Sequence, residues 1–178
     1  SSYYQLLARY SSGEMLKALE IMAELSNTRD QEEAAFIKVV KNYRDKKENV
    51  GVRRERAIVG GGISLHQFFI HSYEETNQAR RQVSHFFLTA SEMFKNEALD
   101  KASLQKICAF GTFKFLYHVV EWLELAKAVS WEYERDVFTK LLYQSGRSQS
   151  EIEELKRLRP PETWAEVEQI IQSNQPPE

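Results

Sequence analysis

Apolar and polar residues recur every three to four positions along most of the chain. That period is typical of amphipathic helices, and no segment alternates apolar and polar residues long enough to predict a strand. All four prolines lie after residue 159, so nothing before that point obligatorily breaks a helix. The pattern predicts helices over residues 2–10, 12–26, 29–48, 64–97, 101–110, 113–129, 131–145, 149–158 and 164–173.

Capping boxes support five of these helix starts. In this motif a Ser or Thr side chain accepts a hydrogen bond from the third amide of the helix, and a Glu or Gln at that third position bonds back. The matching pairs are Ser11 with Glu14, Thr28 with Gln31, Ser64 with Gln67, Ser148 with Glu151, and Thr163 with Glu166.

Two of the predicted helices carry the apolar residues of a core. The helix over 113–129 is apolar around nearly its whole circumference, which is typical of a buried helix. The longest helix, 64–97, has a seam at steps of three and four: Phe69, Ser72, Thr76, Ala79, Val83, Phe86, Ala90 and Met93. We therefore predict an all-α fold, an irregular multi-helix bundle with one long central helix.

The length of 178 residues indicates a single helical domain, residues 1–178. Within it we predict an N-terminal helical pair (1–50), a basic, glycine-containing hinge (51–63), a main bundle (64–146) and an amphipathic C-terminal tail (147–178). The hinge follows from six Arg or Lys residues against three acidic ones between positions 44 and 56, with three consecutive glycines after them.

Charge and composition exclude several classes of function. A net charge of −2 argues against a DNA-binding protein, which is usually clearly basic. A single cysteine cannot form an internal disulfide, which fits a reducing compartment. No stretch has the roughly 18 consecutive apolar residues that a membrane span needs.

The sequence AIVGGGISL, residues 57–65, resembles the start of a dinucleotide-binding domain. Such domains require a parallel sheet after the glycine turn, but only helical patterns follow here. Leu65 also occupies the position of the third glycine of that motif. We expect a glycine hinge and no nucleotide cofactor.

The histidine pairs suggest a metal site, but their order does not fit one. His71 with Glu75, and His118 with Glu121, each share one face of a helix. Carboxylate metal sites in bundles use Glu-x-x-His and matching glutamates from other helices, which are missing here. We expect polar pairs at the surface or boundary, and no bound metal.

No catalytic nucleophile is predicted. Cys108 lies among apolar residues, which favours a buried structural thiol over a reactive one. Ser84 and His85 are adjacent, and neighbours on a helix point in different directions. They therefore do not form a nucleophile and its base.

Five arginines are candidates for binding a partner. Arg80 and Arg81 lie in the middle of the long helix, and Arg53, Arg54 and Arg56 belong to the basic segment. Arginine binds carboxylates and phosphates through two parallel hydrogen bonds. The simpler interpretation of Arg80 and Arg81 is a solvated helix face paired with nearby glutamates.

The segments ARRQVSHFF (79–87), ALD (98–100), ICAF (107–110) and VVE (119–121) resemble a loose family of uncharacterised bacterial helical proteins. The resemblance extends over residues 11–145, and the segment around the three glycines departs from it. Members often carry an N-terminal membrane anchor. The resemblance implies a bacterial cytoplasmic module, tethered to the inner membrane by a segment outside this chain. It implies no catalytic residues.

Three hypotheses on function follow. The first is a non-catalytic interaction or regulatory module that binds a protein partner or itself. The alternative is a helical bundle that binds a small ligand or metal, or acts as an enzyme, with a pocket near Ser72, Thr76 and Ala79. A third is electrostatic binding of anionic lipid or RNA by residues 44–56.

Overall fold

A computed structural model describes residues 2–55, 65–128 and 138–175 and confirms the all-α fold. A π-helical turn, Leu116–Val120, joins two of the helices into one continuous rod. The helices are α1 Ser2–Tyr10, α2 Gly13–Gln31, α3 Glu33–Arg44, α4 Tyr73–Lys95, α5 Lys101–Ile107, α6 Phe110–Phe115, α7 Glu121–Lys127, α8 Thr139–Gln144, α9 Gln149–Lys156 and α10 Trp164–Ser173.

Two of the predicted capping boxes are confirmed. Ser148 and Thr163 accept hydrogen bonds from the amides of Glu151 and Glu166, whose carboxylates bond back to the cap amides. The cap of α2 is Ser12, one residue later than predicted. Local sequence therefore determines where these three helices begin.

Two other predicted helix starts are wrong. Thr28 lies inside α2, where its hydroxyl donates to the carbonyl oxygens of Glu24 (2.9 Å) and Phe68 (3.0 Å) instead of accepting from an amide. The long helix begins after Ser72, whose capping box with Glu75 is complete. The box predicted at residue 64 starts outside the described residues and ends in a strand.

The sequence pattern predicts no strand, and this prediction is also wrong. β1 (Val52–Glu55) pairs antiparallel with β2 (Leu65–Phe69), with an irregularity after Val52. Both Val52 and Phe69 are buried. The hairpin contacts α2 and α3, so the described part of the predicted hinge is paired structure. Neither strand sequence, VRRE or LHQFF, alternates apolar and polar residues, so the pattern gave no indication of a strand.

The N-terminal helices share one core with the rest of the chain. The predicted seam is buried at Thr76, Ala79, Val83, Phe86 and Ala90. Its small residues let α2 pack closely against α4, while α3 packs against α7. Within the described residues, the N-terminal helices and the helices of the predicted main bundle therefore pack around one core.

The C-terminal tail also packs on the bundle. Glu168 of α10 accepts hydrogen bonds from Lys41 Nζ at 3.0 Å and from the indole of Trp164 at 2.9 Å. The guanidinium of Arg44 lies 4.5 Å from the centre of the Trp164 ring. These contacts hold α10 against α3 through a cation–π pair and an ion pair.

Gly51 allows the hairpin to pass close to the segment after β2. A Cβ at this position would overlap the carbonyl oxygen of Phe69 and lie 2.9 Å from Cα of Ile70. Because both neighbours are backbone atoms, they cannot move away as a side chain would. We expect Gly51→Ala to lower the free energy of unfolding by about 1–3 kcal/mol in urea denaturation.

The matched control is Gly13→Ala at the first residue of α2, where nothing lies within 4 Å of the added carbon. Alanine is favourable in a helix, so this variant should be at least as stable as the wild type. Equal unfolding midpoints for the two variants would contradict the proposed backbone clash.

Candidate binding cleft

A cleft of about 690 Å³ opens along the outer side of α4. Its lining is mostly polar, with Leu88 as its one large aliphatic residue. Arg9 of α1 and Glu124 of α7 contribute from the neighbouring helices. The cleft is therefore a polar surface of α4 bordered by α1 and α7.

The floor of the cleft is a network centred on Arg80. Its Nη1 donates to Glu124 Oε1 at 2.7 Å, and its Nε donates to the hydroxyl of Tyr43 at 2.8 Å. Ser84 Oγ donates to the same glutamate oxygen at 2.6 Å. The hydroxyl of Tyr43 in turn donates to Asn77 Oδ1 at 2.7 Å. The network joins α3, α4 and α7 and fixes their relative positions.

The pKa shifts of Tyr43 and Arg80 are consistent with their roles as hydrogen-bond donors. Burial raises the pKa of Tyr43 to about 12, although Arg80 opposes the shift, so the phenol stays protonated and can donate. Burial alone would lower the pKa of Arg80, but Glu124 and Tyr43 outweigh it and the net pKa is raised. The floor is therefore a charged pair whose hydrogen bonds offset its desolvation.

The rim of the cleft carries three exposed basic residues beside the exposed Glu74. Arg9, Arg81 and His85 are all exposed and line it together. Within the part of the chain that the structure describes, none of the three side chains forms an ion pair or a hydrogen bond. Two guanidinium groups on this rim are thus available to an anion from outside.

The structure separates the five predicted partner-binding arginines. Arg80 and Arg81 line the same cleft, but Arg80 is engaged in the floor and Arg81 is exposed. Arg53 and Arg54 belong to β1, and their side chains lie outside the described residues, as does the whole of Arg56. The partner-binding role itself stays a prediction for all five.

Sequence reasoning did not select the partners of Arg80. Tyr43 and Asn77 sit in ordinary amphipathic helices and carry no local signal. Glu124 does carry one, because it is a charged residue directly between Leu123 and Leu125 and lies outside the polar strip of His118 and Glu121. A charge in such a position is typical of a buried ion pair.

The chain matches no family model, no curated protein and no solved structure. The resemblance to bacterial helical proteins, with the anchor and location it implies, stays a prediction. Across the three described ranges, every helix is too short or too polar to cross a bilayer. Functional inference therefore depends on the residues of the cleft.

The two histidine pairs differ from each other. His71 lies on the boundary as predicted, with Nε2 2.6 Å from Glu24 Oε2 and Nδ1 3.5 Å from Glu75 Oε2. His118 and Glu121 are buried, so the prediction of a surface or boundary position is wrong for this pair. Among the described residues, no three His, Cys, Asp or Glu side chains are grouped closely enough to hold a metal ion.

Cys108 has the character of a structural thiol. It is completely buried, and burial raises the pKa of the thiol to about 12, against a small opposing effect of Arg147. A protonated thiol is a poor nucleophile and metal ligand. The prediction of a buried cysteine is confirmed.

Proposed function

We propose that this chain is a non-catalytic binding module, and that the basic rim of the cleft docks a negatively charged group of a partner protein. The observation that carries the proposal is the position of Arg9, Arg81 and His85. Three exposed basic side chains, which have no partner among the described residues, line the edge of a cleft whose floor is already ordered. An ordered site loses less conformational entropy when its partner binds.

The polarity of the cleft supports a protein partner over a drug-like molecule. Small-molecule sites are usually apolar with a few polar groups, whereas Leu88 is the one large aliphatic residue in this lining. Arg80 and Ser84 are both committed to Glu124, which favours a rigid surface over a set of groups that exchange protons. Arginine is enriched in protein interfaces for its bidentate geometry.

In-cell photo-crosslinking would test the proposal. A benzophenone amino acid replaces Gln78, which is exposed at the edge of the cleft. We expect this probe to form a discrete adduct with one protein in the cell that naturally expresses the chain. Arg81→Glu should reduce the adduct at least about tenfold, equivalent to 1.4 kcal/mol.

Two controls test whether the effect is specific to the cleft. Lys140→Glu makes the same charge change at an exposed position of α8, outside the cleft, and should leave the adduct unchanged. A probe at Glu153, exposed on α9, should not form the adduct. An adduct that persists in Arg81→Glu would rule out this cleft as the docking site.

A second candidate is a small anionic ligand, which the volume of the cleft favours because ligand sites commonly enclose about 300–1,000 Å³. The pocket first expected near Ser72, Thr76 and Ala79 matches a different and smaller cavity only in part: a space of about 220 Å³ between α2 and α4 is lined by Ala79, but not by Ser72 or Thr76. Native mass spectrometry of protein purified from its own cell decides between the candidates. A bound small molecule that Arg81→Glu lacks would favour the second.

A further inference from the structure

Three residues of α4, one acidic, one basic and one apolar, lie in a line along the cleft. Glu74, Arg81 and Leu88 are seven positions apart, so they lie on one side of the helix at steps of about 10 Å. All three are exposed and line the cleft. The surface therefore changes from acidic to basic to apolar over roughly 20 Å.

Amide side chains lie between these three residues. Asn77 already accepts from Tyr43 through Oδ1, which leaves its Nδ2 as a donor. Gln82 donates to Glu14 through Nε2, which leaves its Oε1 as an acceptor. Gln78 makes no hydrogen bond within the described residues. The cleft thus offers both donors and acceptors along its length.

Such a surface suits an extended peptide better than a helix. Each residue of an extended chain presents an N–H and a C=O that need partners, whereas a helix satisfies these groups internally. A polyproline-II chain is extended, rises about 3.1 Å per residue and has three residues per turn, so side chains three apart lie on one face at about 9 Å, close to the 10 Å between successive members of the line. Side chains three apart can therefore meet Glu74, Arg81 and Leu88 in turn.

We propose that the cleft recognises an extended segment of a partner protein with a basic, an acidic and an apolar residue, in this order, at intervals of three. The basic residue pairs with Glu74, the acidic residue with Arg81 and with Arg9, which lines the same cleft, and the apolar residue packs on Leu88. This inference rests on the proposed function and adds the chemistry of the segment. Exchange of the two charges in the segment would place like charges opposite each other, which discriminates against the wrong partner.

Synthetic peptides test the order of the charges directly. The probes are fluorescein-labelled Lys-x-x-Glu-x-x-Leu, the same pattern written in reverse, and Glu-x-x-Lys-x-x-Leu, with glycine and serine at the x positions. Binding to the full chain is followed by fluorescence polarisation at low salt, where surface charges are least screened. One direction of the first pattern should bind at least about tenfold tighter than the charge-exchanged peptide.

A charge exchange in the protein provides the decisive test. The double variant Glu74→Arg with Arg81→Glu should reverse the preference, so that the charge-exchanged peptide becomes the tighter ligand. The loss of an acidic residue from the first turn of α4 removes only a weak interaction with the helix dipole, so the variant should stay folded, as circular dichroism can verify. Lys140→Glu again serves as the control and should leave the original preference intact.

The outcomes separate this inference from the proposed function. If Arg81→Glu weakens all three peptides equally, the order of charges is irrelevant and the inference fails, while anion docking stands. If Arg81→Glu changes no peptide and also leaves the in-cell adduct intact, both fail. If light scattering shows a dimer that Arg81→Glu dissociates, the cleft is occupied by a second copy, and the partner segment is overturned.

Discussion

Replacing Arg29 by methionine is expected to lower the free energy of unfolding by about 3 kcal/mol or more. The guanidinium is nearly buried, with 9% of the side chain exposed. Its Nη1 donates to the carbonyl oxygen of His118 at 2.6 Å and to that of Leu158 at 2.9 Å. One charged group therefore joins α2 to the π-helical turn and to the segment after α9.

Two aromatic rings enclose the same guanidinium. Its central carbon lies 4.9 Å from the Trp122 ring and 5.3 Å from the Phe36 ring. The indole of Trp122 also donates to the carbonyl of Leu158, at 3.0 Å. Methionine fills a similar length but supplies no donor, so both carbonyls lose a charge-assisted hydrogen bond and the rings lose their cation–π contact.

Thermal and urea denaturation measure this effect. For a domain of this size, 3 kcal/mol corresponds to a fall in the melting temperature of about 6–12 °C. Arg29→Lys should show an intermediate loss, because an ammonium keeps the charge but not the planar fork. Lys17→Met makes the same type of change at a cation of α2 whose side chain is 65% exposed, and should change stability by less than about 0.5 kcal/mol. Similar midpoints for Arg29→Met and Lys17→Met would contradict the assigned role.

Much of the helical architecture follows from local sequence. The seam from Thr76 to Ala90 repeats with helical period, and its burial could be predicted because small and apolar residues recur on one side. The capping boxes at Ser148 and Thr163 satisfy amides only three positions away. Both features depend on residues within a few turns of each other, and so they are visible in the sequence.

The polar residues of the interior were not predictable in the same way. His118 and Glu121 appear as a polar strip on an apolar helix, which indicates a surface position. Their burial depends on Arg29, which contacts the His118 carbonyl, and on Arg159, whose Nε lies 3.5 Å from Glu121 Oε2. The π-helical turn adds to the difficulty, because it shifts the helical register within this strip.

The residues of the candidate site were likewise only partly predictable from the sequence. The sequence selected Arg80 and Arg81 together because they are adjacent and basic. Only tertiary packing separates them, since Arg80 points to Glu124 and Tyr43 while Arg81 points to solvent. Arg9 lines the same cleft because of where α1 packs, and the periodicity of the sequence does not predict that packing.

His118 should make the protein sensitive to mild acid. Its Nδ1 lies 2.8 Å from Ser26 Oγ, and its Nε2 lies 3.4 Å from Asp30 Oδ1. A neutral ring protonated on Nε2 meets both neighbours, since it donates to Asp30 and accepts from Ser26. Burial and then Arg29 lower the pKa to about 4, and the attraction of Asp30 does not compensate.

Stability should therefore fall as the pH drops from about 6.5 to about 4. In this window the unfolded chain protonates His118 and the folded chain does not, so each unit of pH favours unfolding by up to about 1.4 kcal/mol. The full effect approaches about 3 kcal/mol, measured as the urea midpoint against pH. In His118→Gln the amide keeps a donor for Asp30 but does not titrate, so its profile should be flatter over the same window. Parallel profiles for the two proteins would show that the buried imidazole is not the acid-sensitive group.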